Sequence, residues 1–201
     1  MRMSGIASLC SAAAMLALTS VSALAGPNED VVKIFGRDPG ASAAHACFAR
    51  HYTKNHLGAH PQQNVTDMVL FVSKPEGTEP YYSLSMQVNF LHLNKPFQVS
   101  GSCSRSEDGK NTLGCGVECD GGSLSVRVKS ETSVLVDIPD SVRLFDPSES
   151  EEEPGGDLPK GARFGADDKL FRLDRTALKD CVPVIYDEEV KTKVIEGVTT
   201  Q

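Results

Sequence analysis

The stretch from Cys103 to Val128 constrains this chain more than any other. It holds three of the six cysteines and two glycine-marked turns. Leu113, Cys115, Val117 and Cys119, then Leu124, Val126 and Val128, alternate with polar residues or glycine. A period of two is the pattern of strands with one buried face. Asp120-Gly121-Gly122 separates the two runs, and Asp-Gly or Gly-Gly supplies the positive φ angles of a tight hairpin turn. With Asp120-Gly121 at the tip, Cys119 faces Gly122, Val117 faces Leu124 and Cys115 faces Val126. With Gly121-Gly122 at the tip, Cys119 faces Leu124 and Val117 faces Val126. Both registers keep the apolar set on one face.

Distance limits what the cysteines can do. Four residues along a strand separate Cα atoms by roughly 13 Å. Cys115 and Cys119 therefore cannot bridge each other, which takes about 4.4–6.8 Å, nor share a zinc ion, whose thiolates lie within about 4 Å of one another. Cross-strand pairing is open to them. Cys103–Cys115 closes a shorter loop than Cys103–Cys119 and is the preferred pair. That leaves Cys47 and Cys181, neither with a near neighbour in sequence, for each other; Cys47–Cys119 with Cys181 free is the competing arrangement. Closing so long a loop contributes on the order of 4–5 kcal/mol in the chain-entropy model.

Residues 1–25 read as a cleaved signal peptide. Arg2 opens it, Ala12 to Leu18 form a short apolar core, and Ala23-Leu24-Ala25 is a small-x-small cleavage site. The apolar run is too short for a membrane span, and Leu9 before Cys10 argues against lipidation there. Removing 25 of 201 residues leaves 176, enough for one domain, residues 26–201, with a single core. The leader carries one base and no acid, so the mature chain has 19 bases against 27 acids. That balance gives no support for nucleic-acid binding. Five remaining cysteines suit an oxidising compartment, periplasmic or extracellular, with two disulfides and one residue over.

The rest of the chain reads as short strands. Good helix formers with Ala44, Cys47, Phe48 and Tyr52 on one face predict a helix near residues 41–57, ended by Gly58 and Pro61. Strands follow over Val65–Ser73, Tyr82–Phe90, a run opened by Pro96 and ending at Cys103, the two central runs, Thr132–Ile138 and Ser141–Phe145. Asp168–Asp174 alternates like an eighth, and a helical turn at Thr176–Cys181 has Thr176 as a cap candidate. Between these, 146–161 is acidic and rich in Pro and Gly and reads as an extended, mobile loop. The fold class expected is mainly β: an antiparallel meander of about eight strands, barrel or sandwich, with a short N-terminal helix and a short C-terminal helical turn.

Chemistry is sparser. His45, His51, His56 and His60 lie within sixteen positions. His56 and His60 have i, i+4 spacing and Asp67 is close in sequence, so His56, His60 and Asp67 are the candidate ligands of a divalent metal, although Gly58 and Pro61 argue against one intact helix carrying both histidines. A polar helix end in which histidines cluster, or a pH-sensitive hydrogen-bond site, fits the same residues. The acidic run 149–153 lacks EF-hand spacing. Asn64-Val65-Thr66 has the form of a glycosylation acceptor. No Gly-x-Ser-x-Gly, His-Glu-x-x-His, Cys-x-x-Cys, phosphate-binding glycine loop or Gly-x-Gly-x-x-Gly occurs, so no catalytic residue and no cofactor is assigned.

Cys47-Phe48…His56-Leu57…His60-Pro61, Cys115-Gly-Val-Glu-Cys119-Asp-Gly-Gly and Phe171-Arg-Leu-Asp-Arg…Cys181 resemble elements of a family of small exported bacterial proteins to which no activity is attached. The resemblance spans most of the mature chain and transfers no functional residue. The expectation is a non-enzymatic exported binding or structural module of the bacterial envelope, its partner a protein or a small apolar ligand. The alternative is a metal-binding protein or metal-dependent hydrolase using the histidines at 45–60.

Overall fold

The computed structural model describes residues 29–77, 80–108, 112–118, 120–149 and 158–198. The expected leader, Cys10, Cys119 and the centre of the acidic stretch lie outside the described residues. The elements are α1 (Glu29–Phe35), β1 (Ala44–His51), α2 (Lys54–Ala59), β2 (Val65–Lys74), β3 (Tyr81–Phe90), β4 (Phe97–Arg105), β5 (Leu113–Val117), β6 (Ser123–Ser130), β7 (Ser133–Asp137) and β8 (Leu170–Thr176). A 3₁₀ helix (Leu178–Val184) and α3 (Glu188–Ile195) follow. Each strand pairs antiparallel with its neighbours in sequence, and β8 returns to β1, so the eight strands close into a barrel. Closure leaves no sheet edge to template another chain.

The alternation seen in the sequence decides which side chains enter the barrel. Phe48, Leu70, Tyr82, Leu84, Met86, Val88, Phe97, Val99, Leu124, Val126, Val136 and Leu173 point inward and belong to one contiguous apolar cluster. The opposite positions on β3 to β6 are Ser83, Ser85, Ser100, Ser102, Gly114, Gly116, Ser123 and Ser125. These positions are exposed or half-exposed apart from Ser85, which is buried, the reverse of the apolar outward band of a lipid-facing barrel. Helix α1 packs Val31, Ile34 and Phe35 into the same cluster at one end, with Phe35 stacked on Tyr82 at 6.1 Å between ring centroids. Arg175 on β8 binds that helix: its Nη2 donates to the carbonyls of Lys33 (2.6 Å) and Ile34 (2.7 Å), where a cation meets the negative end of the helix dipole. The guanidinium also lies 4.9 Å from the Phe48 ring centroid, and burial lowers its pKa.

A second apolar cluster lies outside the barrel. Cys47 on β1 and Phe71 on β2 face outward and are covered by Leu178, Cys181, Val184, Ile185 and Val194. The Cys47–Cys181 disulfide staples this cover, across 134 residues of chain. Cys103 and Cys115 stand directly opposite each other on β4 and β5 and form the second disulfide. Both preferred pairings are therefore present. Beside the outer cluster, Gln98 is buried on the outer face of β4. Its amide donates to Gln87 Oε1 and to the Pro183 carbonyl, and it accepts from the Tyr186 hydroxyl. Burial pushes the Tyr186 hydroxyl up to about 12.

Four local expectations are corrected. Residues 44–51 are strand β1, not helix; α2 covers only Lys54–Ala59. Strand β1 buries Ala44, Ala46 and Phe48 in the lumen cluster and Cys47 under the C-terminal cover, and its polar residues His45, Arg50 and His51 fall on both faces, so it carries no period-two polar alternation to announce itself. The β5–β6 hairpin takes neither proposed register. Cys115 faces Leu124 and Leu113 faces Val126, because a four-residue connection, Glu118 to Gly121, closes through Gly121 N–H to Glu118 O (3.1 Å). The shift is an even number of residues, so every apolar side chain keeps its face. Ser141–Phe145 is not a wall strand: it makes single bridges, Val142 to Gly122 and Phe145 to Gln98. Gly122, at φ +86°, is required there, since a Cβ would sit 2.3 Å from the Ser141 carbonyl oxygen. Finally, Ala177 rather than Thr176 caps the 3₁₀ helix, without a side-chain bond; the Thr176 hydroxyl donates to Asp180.

Candidate functional site

The histidines are distributed by the path of the chain from β1 into β2. Tyr52 continues β1, its N–H donating to Thr66 O at 2.8 Å, and Thr53 caps α2 by accepting from His56 N–H. The short helix brings three rings into a row. His56 lies 4.8 Å from Tyr52 and 4.4 Å from His60, the last pair stacked at 27°. On the other side of the row, the Arg50 guanidinium is 5.7 Å from the Tyr52 ring centroid. Burial pushes the Tyr52 hydroxyl up to about 12; Arg50 opposes the rise, and Asp168 and Asp174 add to it.

Gln63 fixes the tautomer of His56. Its amide nitrogen donates to Val65 O (2.8 Å), so its oxygen faces His56 Nε2 at 2.9 Å and must accept. In the neutral ring His56 thus carries its proton on Nε2 and keeps Nδ1 as the basic nitrogen. Gln63 and Asp168 are site residues that spacing could not reveal. Asp168 is fully buried and accepts from the backbone N–H groups of Asn64 (2.7 Å), Gly165 (2.8 Å) and Val65 (3.2 Å). Burial raises its pKa, and those three donors oppose the rise. Its partners in β2's approach lie more than a hundred residues away in sequence. Asn64 spends its side-chain amide on Gly161 O and Arg163 O (2.7 and 2.8 Å), so the acceptor-like Asn64-Val65-Thr66 is built into this junction.

The other predicted residues go elsewhere. Asp67 stands opposite His51 across β1 and β2, on the outside of the barrel, with Oδ1 2.6 Å from His51 Nδ1. His45 lies half-buried on the same outer wall, stacked on Phe71 at 5.6 Å, with Nδ1 3.2 Å from Ser73 Oγ. Burial lowers its pKa; Asp187 opposes this, while Arg37 and Lys193 reinforce it. The fold thus brings His56 and His60 together and gives Asp67 to a different histidine. Two nearly parallel stacked imidazoles hold their lone pairs in separate planes, so one ion can lie in both only if His60, which is exposed, turns. Among the described residues no three His, Cys, Asp or Glu side chains are grouped to hold a metal ion, and no helix is long and apolar enough to cross a membrane. No protein family, curated protein or solved structure matches the chain.

Proposed function

We propose that this protein is an exported, non-enzymatic binding or structural module of the bacterial envelope. The observation that carries the reading is the lumen: inward side chains from all eight strands form one packed apolar cluster, so recognition belongs to the outer surface and the barrel ends. This favours a protein partner over a small apolar ligand held inside the barrel. The two disulfides suit an oxidising compartment, in keeping with the leader read from residues 1–25.

Fractionation of the producing cell tests export. The expected product is a chain beginning near Gly26, outside the cytoplasm, with both disulfides formed. A full-length cytoplasmic chain with reduced cysteines would overturn the reading. Photo-crosslinking probes at outward Ser102 and Ser123 and at inward Leu70 test the mode of binding: adducts should form from the outward positions, and adducts from Leu70 alone would point to a ligand in the lumen.

The metal reading draws on the proximity of His56 and His60. Elemental analysis of the purified protein distinguishes it. Stoichiometric zinc or copper that disappears in a His56→Ala, His60→Ala double variant would make it the better account; the expected result is no stoichiometric metal.

A further inference from the structure

The outer wall of the barrel changes character around its circumference. On β1 and β2 it is covered by the cluster around Cys181, and on β4 and β5 it is mostly serine and glycine. From the second half of β6 to β8 it is built from arginine and leucine. Val126, Val136, Phe171 and Leu173 belong to the lumen cluster, so Arg127, Leu135, Leu170 and Arg172, which alternate with them, face outward. Leu170 is 51% exposed, and Arg127, Lys129 and Arg172 are exposed as well. Strand register sets three of these side chains in one row: Arg127 stands opposite Leu135, and Leu135 opposite Arg172. Neighbouring strands lie about 4.8 Å apart, so the two arginine positions are about 10 Å apart with the leucine between them.

This face is positive. Arg172 donates from Nε and Nη2 to Asp174 Oδ1 at 3.0 and 2.8 Å, and Arg50 donates to Oδ2 of the same carboxylate at 2.8 Å. One acid thus serves two guanidiniums. Arg127 and Lys129 form no ion pair or side-chain hydrogen bond among the described residues. With Asp137 counted in, the face holds Arg50, Arg127, Lys129 and Arg172 against two acids, on a mature chain with 19 bases against 27 acids. A local cationic excess on an acidic molecule steers negative partners to that side. Arginine is also enriched at protein interfaces, and its planar fork matches a carboxylate with two parallel hydrogen bonds.

We propose that the β6–β8 wall is the docking surface for an acidic helix of a partner protein, whose carboxylates reach Arg127 and Arg172 and whose apolar residues cover Leu135. The proposal rests on the reading that recognition belongs to the outer surface, and it adds the face and the chemistry of the partner. The spacing selects a helix. Side chains seven residues apart lie on one helix face about 10.5 Å apart, with those of the third and fourth residues between them. Along a strand, same-face side chains fall about 7 and 13 Å apart, one short of the arginine spacing and the other beyond it. An anionic membrane matches less well. The excess of two cations falls short of the clusters of about 4–8 basic residues that hold such surfaces, and none of the outward residues here is aromatic.

An NMR titration of the oxidised mature chain tests this, with an acetylated helical peptide carrying two glutamates two turns apart and leucines between them. The amide signals of Arg127, Leu135 and Arg172 should shift on binding. Affinity should fall roughly tenfold in Arg127→Glu and fall again as salt is raised, and a peptide with lysine in place of glutamate should not bind. Arg127 has no side-chain bond in the fold, so this variant keeps the barrel and its loss of binding is local. Shifts confined to another outward face overturn the inference and leave the outer-surface reading standing. Shifts of lumen residues such as Leu70 overturn both. No shift at all, or binding unchanged in Arg127→Glu, overturns the inference alone. Phosphatidylglycerol vesicles that bind the chain and displace the peptide would make this wall a lipid surface and overturn it too.

Discussion

Asp168 joins two parts of the chain that no local signal connects. Three backbone N–H groups converge on a carboxylate with no solvent contact, and each would be left without a partner if the acceptor were lost. Asn at this position supplies one oxygen and one NH₂ that points at donors. Asp168→Asn should therefore lower stability by about 1.5–3 kcal/mol in urea unfolding, and Asp168→Ala by at least as much. A second carboxylate behaves differently. Asp146 accepts from Lys95 and from the hydroxyl and N–H of Ser148, and these hydrogen bonds, Lys95 first, hold its pKa at about 2 instead of 3.8. A depressed pKa gives stability that is present above the ordinary value and is lost as pH falls through the folded one. The urea midpoints of the wild-type chain and Asp146→Asn should differ at pH 5 and converge between about pH 4 and pH 2. A gap that stayed constant over that range would remove Asp146 from the acid response. Neither carboxylate was visible as a site in the sequence, because what distinguishes them is the backbone brought to them.

At the scale of elements, the strands that read most plainly are those with one wet face. Tyr81–Phe90 sends Tyr82, Leu84, Met86 and Val88 to the lumen and Ser83, Gln87 and Asn89 to a half-exposed outer face on which Ser85 is buried, so its alternation is intact. Strand β1 was legible only as a helix: Ala, His, Cys and Arg tolerate a helix, and buried residues fall on both of its faces. Pairing with β2 over eight positions and with β8 over three decided otherwise, a tertiary override of local propensity. Ser141–Phe145 erred in the opposite direction. Its alternation is real, with Val142 and Leu144 buried in the barrel's own apolar cluster, but it meets the sheet only through single bridges to Gly122 and Gln98. The cysteine pairings were recoverable because pairing within the central cluster leaves the terminal two. Replacing both Cys47 and Cys181 by serine should lower stability by about 5 kcal/mol in the chain-entropy model, against about 3 kcal/mol for the short loop of Cys103–Cys115. The first change should also release the segment after Thr176 to limited proteolysis, whereas the second should not.

The molecule as a whole is a ring of unequal ladders. The ten-residue strands β2 and β3 pair along almost their full length, whereas β5 and β7 have five residues each. Native-state hydrogen exchange should find the slowest amides in β2 and β3 and faster ones in β5; equal protection all round would mean that the barrel opens only by unfolding completely. The last ladder to become available is that between β1 and β8, which joins Cys47, Phe48 and Ala49 to Thr176, Arg175 and Asp174. A chain made amino end first delivers β1 early, yet its second neighbour is the final strand. Until Thr176 has emerged, every intermediate carries two open edges and an uncovered outer face on β1. Topology therefore sets a clock on folding: the closed barrel is withheld until nearly the whole chain is available.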